Sequence, residues 1–61
     1  MQYSCLVTYA KDRDGKTFEF DSRVVDPGTD ATGNLRADMA REVQEFGFDE
    51  YNIVLETYEE F

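Results

Sequence analysis

Hydrophobic and polar positions alternate along residues 2–10 and again along residues 16–25. A period of two, with β-branched and aromatic side chains, predicts two strands. Asp14-Gly15 stands between them, and this dipeptide is typical of tight turns that join paired strands. The pattern therefore predicts an antiparallel β-hairpin.

The spacing of the apolar residues changes from Leu35 onward. Leu35, Met39, Val43 and Phe46 recur at spacings of four, four and three. This spacing places all four on one face of a helix.

Both ends of the predicted helix carry recognisable signals. Residues 26–34 hold the only proline and two of the four glycines, which predicts a loop before the helix. Asp30, Thr32 or Asn34 is a candidate amino-terminal cap. Gly47 is expected to end the helix at its carboxyl terminus, with Phe48 folding back onto the last turn.

Alternation returns at residues 51–56 and predicts a third strand, which residues 57–61 either extend or leave frayed. The chain is then a single α+β domain over residues 1–61, a two-layer β-β-α-β fold. The crossover should make strands two and three parallel, which suggests a mixed sheet of order 2-1-3 with the helix on one face. The expected core residues are Cys5, Val7, Phe18, Phe20, Val24, Leu35, Met39, Val43, Phe46, Ile53 and Leu55.

The charge of the chain is strongly unbalanced. Fourteen acidic and six basic residues, without histidine, give a formal net charge of -8 over 61 residues. A polyanion repels nucleic acid and anionic membranes, so neither is expected as a partner. The balance favours a basic protein partner or an unusually salty solvent.

The lone cysteine, the start of the chain and its hydropathy bear on location. Cys5 is predicted to be a small buried residue, although a reactive thiol or an intermolecular disulfide is the alternative. The amino-terminal residues lack the features of a signal peptide, and no run approaches a membrane span in length. These features together predict a cytoplasmic protein.

Catalysis, cofactor binding and metal binding are not expected. Histidine is the commonest proton-transfer group near neutral pH, and the chain has none. Paired carboxylates for sugar hydrolysis need a cleft, for which one helix on three strands offers little volume. A calcium loop starting at Asp12 would need glycine where Thr17 stands and glutamate where Arg23 stands. Asp12 is instead interpreted as a turn residue that bonds to nearby backbone amides.

Two surfaces are candidates for partner binding. The first is a row on the helix, where Asp38, Glu42 and Glu45 follow at i, i+4 and i+7, with Arg41 able to pair with Glu45. A row of negative groups suits a basic partner, although charged helix faces are routinely just solvated.

The second surface is the sheet face expected to point away from the helix. Apolar groups among carboxylates there suggest an interface, and a half-solvated sheet is the alternative. The residues predicted on this face are Leu6, Thr8, Glu19, Asp21, Arg23, Val54, Glu56 and Tyr58. Of these, Leu6, Glu19, Asp21, Val54, Glu56 and Tyr58 are predicted to contact a partner. Residues 56–61 add carboxylates and two aromatic rings that are expected to bind basic side chains.

These features suggest a small non-enzymatic binding protein. It would inhibit or regulate a partner by occupying that partner's basic, nucleic-acid-binding surface, as small acidic inhibitors encoded by phages do. The alternative is a structural domain that forms a homodimer through the open sheet face, with its acidity serving solubility or life at high salt. The two hypotheses differ in whether the carboxylates or the apolar sheet residues make the contact.

Overall fold

A computed structural model describes residues 1–26 and 33–60 of the chain. Three strands and one helix follow one another as β1 (Gln2–Lys11), β2 (Thr17–Val25), α1 (Asn34–Glu45) and β3 (Tyr51–Glu59). The predicted order of elements is therefore confirmed. The third strand extends rather than frays, because the Glu60 amide continues the pairing to the Met1 carbonyl at 2.7 Å.

The turn between β1 and β2 is organised by Asp12. One carboxylate oxygen of Asp12 accepts hydrogen bonds from the backbone amides of Asp14 and Lys16, both at 2.9 Å. Gly15 adopts a φ of 80°, a region that glycine enters without steric cost. The interpretation of Asp12 as a turn residue is thus confirmed.

The two ends of α1 differ in how their backbone groups are satisfied. Gly33 occupies the amino-terminal cap position and provides no side-chain hydrogen bond. Asn34 is the first helical residue rather than the cap, while Asp30 and Thr32 lie outside the described residues. At the other end, Gly47 has a φ of 98° and its amide bonds to the Gln44 carbonyl at 2.9 Å. The Phe48 amide bonds to the Val43 carbonyl at 3.2 Å, which completes the predicted glycine-terminated cap.

The sheet has the predicted order β2-β1-β3, but it is antiparallel throughout. The prediction of a mixed sheet was wrong. The crossover helix does make β2 and β3 run in the same direction, since both oppose β1. They never share a ladder, because β1 lies between them.

A β-bulge interrupts the pairing of β1 with β2. Thr8 pairs with Asp21 and Tyr9 pairs with Glu19, so Phe20 is an extra residue on β2. A bulge of this kind shifts the alternation of side chains by one position. Phe18 before the bulge and Asp21 after it therefore lie on the same face of the sheet, although uninterrupted alternation would put them on opposite faces.

The helix packs over β1 and β3 on one side of the sheet, which we call the inner face. Leu6 is fully buried there against Met39, also fully buried, and Val25, Leu35 and Ile53 pack around this pair. Because paired residues share a face, Thr8, Asp21 and Arg23 lie on the inner face as well. Their predicted place, on the face away from the helix, was wrong.

The opposite side of the sheet, the outer face, carries Cys5, Val7 and Val24. Cys5 and Val7 are nonetheless buried, because β1 is the central strand and both neighbours flank it. Val24, on the edge strand β2, is 73% exposed. Its assignment to the core was wrong, since the bulge reverses the alternation in this part of β2 and places Val24 on the outer face.

Three further residues predicted in the core are substantially exposed. Phe46 is 74% exposed at the cap position of α1, beyond the last helical turn. Leu55 lies on the edge strand β3, and Phe18 lies close to the turn end of β2, so neither is enclosed on all sides. Among the residues that the structure describes, the buried apolar ones are Cys5, Leu6, Val7, Ala10, Met39 and Val43.

Candidate functional site

Three tyrosines and one glutamate form a cluster on the outer face, which we call the tyrosine–glutamate cluster. It consists of Tyr3 and Tyr9 of β1 and Glu56 and Tyr58 of β3. The Tyr9 hydroxyl donates to both carboxylate oxygens of Glu56, at 2.7 and 3.0 Å. The Tyr58 hydroxyl donates to Oε2 of the same carboxylate at 2.5 Å. Glu56 is therefore held between two phenols.

Tyr3 and Tyr58 form a stacked pair at the edge of this cluster. They are directly opposite each other in the pairing of β1 with β3. Their ring centroids are 5.4 Å apart and their planes differ by 25°. Aromatic pairs across neighbouring strands stabilise a sheet and restrict the rotamers of both rings. The result is a stacked pair of aromatic rings beside a carboxylate.

The hydrogen bonds in the cluster shift the pKa values of its members. The bonds from Tyr58 and then Tyr9 lower the pKa of Glu56, because they stabilise the carboxylate. The bond to Glu56 raises the pKa of Tyr58 to about 12 and also raises the pKa of Tyr9, since each phenol gives up its bond on ionising. At neutral pH the cluster is one carboxylate with two neutral donors.

In the described parts of the chain, the tyrosine–glutamate cluster makes no salt bridge with a basic side chain. Among the described residues, the salt bridges join Lys11 to Glu50, Arg23 to Asp21 and Glu42, and Arg41 to Asp38. None of them includes Glu56. Glu19, which pairs with Tyr9 from the other side, adds a second carboxylate to the outer face.

The predicted row on the helix is already partly neutralised. Glu42 accepts a hydrogen bond from Arg23 at 2.5 Å, and this guanidinium also contacts Asp21 at 3.2 Å. Asp38 pairs with Arg41 at 3.4 Å, so the predicted pairing of Arg41 with Glu45 was wrong. Glu45 is exposed. The row thus offers less uncompensated charge than its sequence suggests.

The residues predicted for the sheet surface divide between its two faces. Glu19, Val54, Glu56 and Tyr58 lie on the outer face, as expected. Leu6 is fully buried against the helix, and Asp21 faces the helix and binds Arg23. Leu6 and Asp21 are therefore not part of an outer-face surface. The residues that β1 and β2 place on the outer face here are their neighbours in sequence, such as Val7 and Ser22.

Sequence reasoning missed Tyr3 and Tyr9 as members of the site. Both occupy the same alternate positions of β1 as Cys5 and Val7, and the sequence predicted that these positions face the helix. The available signal was the concentration of three tyrosines on two strands near Glu56, and the pairing of β1 with β3 was needed to bring them together.

A second aromatic group lies where β2 meets the end of α1. Phe20 contacts the rings of Phe46 and Phe48 edge-on, with centroids 5.2 and 6.0 Å apart. Phe18 contacts Phe48 in the same way at 5.2 Å. We call these four residues the phenylalanine cluster; its most exposed member is Phe46.

Two wide depressions lie at the turn end of the sheet. One, of about 550 Å³, is bordered by Tyr9, Lys11 and Tyr51, and the other, of about 670 Å³, by Arg13, Phe46 and Phe48.

Within the described part of the chain, no three cysteine, aspartate or glutamate residues are grouped to hold a metal ion. The same residues contain no helix with the length and apolarity needed to cross a membrane.

Comparison of the chain with protein-family models, with curated proteins and with solved structures finds no match. The proposals below are therefore based on the residues and their geometry.

Proposed function

We propose that the chain is a small non-enzymatic binding protein that occupies the basic, nucleic-acid-binding surface of a partner protein and so inhibits or regulates it. The observation that supports this most directly is the surplus of carboxylates on a folded body, with a net charge of -8. Long-range attraction accelerates the encounter of such a body with a positive surface, and salt screens that attraction.

The outer face is the better supported contact surface of the two that the sequence indicated. Its carboxylates, Glu19 and Glu56, have no described basic partner, whereas Glu42 and Asp38 on the helix are bound to arginines. Around Glu56 lie aromatic rings and Val54, groups that are buried favourably when an interface forms. A surface of this kind combines apolar contact with charges that select a basic partner.

A binding experiment with charge-matched variants tests both the function and the surface. The immobilised protein is used to capture partners from a lysate at low salt, and the captured protein is then tested for release of bound nucleic acid. We expect a basic partner that dissociates as salt rises and that loses nucleic acid when the acidic protein binds. Partners that are neutral or acidic, or binding that is insensitive to salt, would contradict the proposal.

Two double variants locate the contact. Glu19→Lys with Glu56→Lys alters the outer face, and Asp38→Lys with Glu45→Lys alters the helix by the same total charge. Both should slow association, because both reduce the long-range attraction. Only the outer-face variant should abolish the complex, and the opposite result would place the contact on the helix.

Self-association is a second candidate function, and the exposure of Phe46 favours it. Phe46 is 74% exposed and Phe18 36% exposed within the phenylalanine cluster, and clustered exposed apolar groups often mark an interface. Leu6 cannot contribute to a dimer as predicted, because it is fully buried. Light scattering over a range of concentrations tests this alternative, with Phe46→Lys expected to dissociate the dimer and Val24→Lys serving as the control. A monomer at every concentration would exclude it.

A further inference from the structure

We propose that the tyrosine–glutamate cluster binds the guanidinium group of an arginine side chain, in preference to the ammonium group of a lysine. This inference rests on the proposed function, and it specifies which basic group of the partner is recognised. The cluster offers two features side by side, a carboxylate and a stacked pair of rings, and a guanidinium is the basic group that uses both.

The carboxylate of Glu56 retains capacity for a further donor. A carboxylate has about four acceptor positions on its two oxygens. The hydroxyls of Tyr9 and Tyr58 supply two hydrogens to them. The remaining positions suit the N–H groups of a guanidinium, which form charge-assisted hydrogen bonds with carboxylates.

The rings of Tyr3 and Tyr58 supply the second contact. Tyr58 is 39% exposed, and Tyr3 stacks on it in a fixed orientation. A planar guanidinium is attracted to the face of an aromatic ring and is more weakly hydrated than an ammonium group. Lysine would retain the charge attraction but not the planar contact, since its ammonium group is a compact point charge.

The local charge also fits a cation. Glu19 lies across the sheet from Tyr9, and Glu56 lies near it on the other side. Lys11, at the end of the same face, is engaged by Glu50 at 3.6 Å. Within the described residues the cluster therefore has negative charge and no cation of its own.

Titration with two peptides of equal charge tests this inference. The protein is titrated with capped hexa-arginine and capped hexa-lysine, and binding is followed by calorimetry and by the NMR signals of the tyrosine rings. We expect about tenfold tighter binding of the arginine peptide, because a guanidinium can combine charge-assisted hydrogen bonds to Glu56 with planar contact to a tyrosine ring. The signals of Tyr3 and Tyr58 should shift most with the arginine peptide.

Four variants separate the cluster from general charge. Glu56→Gln should reduce the arginine affinity to that of lysine, whereas Glu45→Gln, with the same loss of charge, should weaken both peptides equally. Tyr58→Leu should remove the arginine preference, and Tyr58→Phe, which keeps the ring, should retain most of it. Circular dichroism of each variant confirms that it is folded.

The outcomes distinguish this inference from the proposed function. Equal affinity for the two peptides, or an equal effect of Glu45→Gln and Glu56→Gln, would refute the arginine site. If the protein releases nucleic acid from its partner but binds both peptides equally well, the proposed function is supported and the arginine site is refuted. Selective binding of arginine without release of nucleic acid would do the reverse.

Discussion

Tyr9 on the central strand and Glu56 on an edge strand are joined by a hydrogen bond to each carboxylate oxygen, at 2.7 and 3.0 Å. The two residues are 47 positions apart in the sequence. With Tyr58 as a second donor, this contact fixes a carboxylate on the outer face. The same contact makes the stability of the fold depend on the protonation of Glu56.

Glu56→Gln should destabilise the protein at neutral pH but not in acid. The hydrogen bonds from Tyr58 and Tyr9 lower the pKa of Glu56 in the folded state below its ordinary value of 4.5. A group of this kind adds stability above its unfolded pKa and loses it as the pH falls through its folded pKa. Urea unfolding of both proteins from pH 7 downward should show the difference disappearing. A difference that is constant with pH would contradict the ionic origin, and Glu45→Gln is the charge-matched control.

Tyr58 should ionise only in strong alkali, well above the ordinary range of a phenol. The hydrogen bond to Glu56, followed by desolvation and the nearby negative charge, raises the pKa of Tyr58 to about 12. Because the folded pKa lies above the unfolded one, this contact stabilises the protein below the ordinary value of 10.0 and is lost as the pH rises through 12. Tyrosinate absorbance should show the transitions of Tyr58 and Tyr9 both moving towards the ordinary range in Glu56→Gln. An unchanged titration curve would contradict the hydrogen bond.

Thr8→Val should stabilise the protein by about 1 kcal/mol, because a buried hydroxyl without a partner carries a desolvation cost. Thr8 is fully buried, and its Oγ1 has no hydrogen-bond partner among the described residues. Urea unfolding measures the change. Ser4→Ala is the control, since the Ser4 hydroxyl lies 3.3 Å from that of Thr57 and its loss should lower stability. A destabilised Thr8→Val would show that the hydroxyl is satisfied.

Leu6→Ala and Val24→Ala test which side of each strand faces the helix. Leu6 is fully buried against Met39, so its truncation should cost about 3 kcal/mol, enough to unfold much of a domain this small. Val24 is 73% exposed, and its truncation should change the free energy of unfolding by less than about 0.5 kcal/mol. Thermal unfolding of both variants measures the contrast. A larger loss of stability for Val24→Ala than for Leu6→Ala would mean that Val24, and not Leu6, faces the helix.

The ion pair between Arg23 and Glu42 should couple β2 to the helix weakly. Both side chains are partly exposed, at 35% and 43%, so water screens the attraction. A double-mutant cycle with Arg23→Met and Glu42→Gln should give a coupling of up to about 1 kcal/mol that falls as salt is added. The pair between Arg41 and Asp38, which is more exposed, should give less. A coupling that persists in high salt would mean that packing, not charge, joins the two elements.

Much of the fold could be predicted because its signals are local. The turn at Asp12 to Gly15 and the helix end at Gly47 depend on hydrogen bonds within a few residues. The helix stripe through Met39 and Val43 is buried as its spacing predicted. The bulge at Phe20 left no comparable signal, and an uninterrupted alternation along β2 therefore misplaced Asp21, Arg23 and Val24.

The candidate site was only half predictable for a related reason. Glu56 and Tyr58 alternate with the apolar Ile53 and Leu55 of an edge strand in period two, so their outward direction followed from the sequence. Tyr3 and Tyr9 lie on the central strand in the more apolar set of alternate positions, with Cys5 and Val7, yet this set faces away from the helix. Period two alone does not show which set receives the helix.

The sequence by itself determined the order of the strands, the turn and the helix, together with the acidic excess of the chain. These properties depend on neighbouring residues and on composition. The tertiary structure decided that Leu6 rather than Val7 packs on the helix and that Tyr9 meets Glu56. Both outcomes depend on strand register and on a bulge, which arise from pairing between segments far apart in the chain.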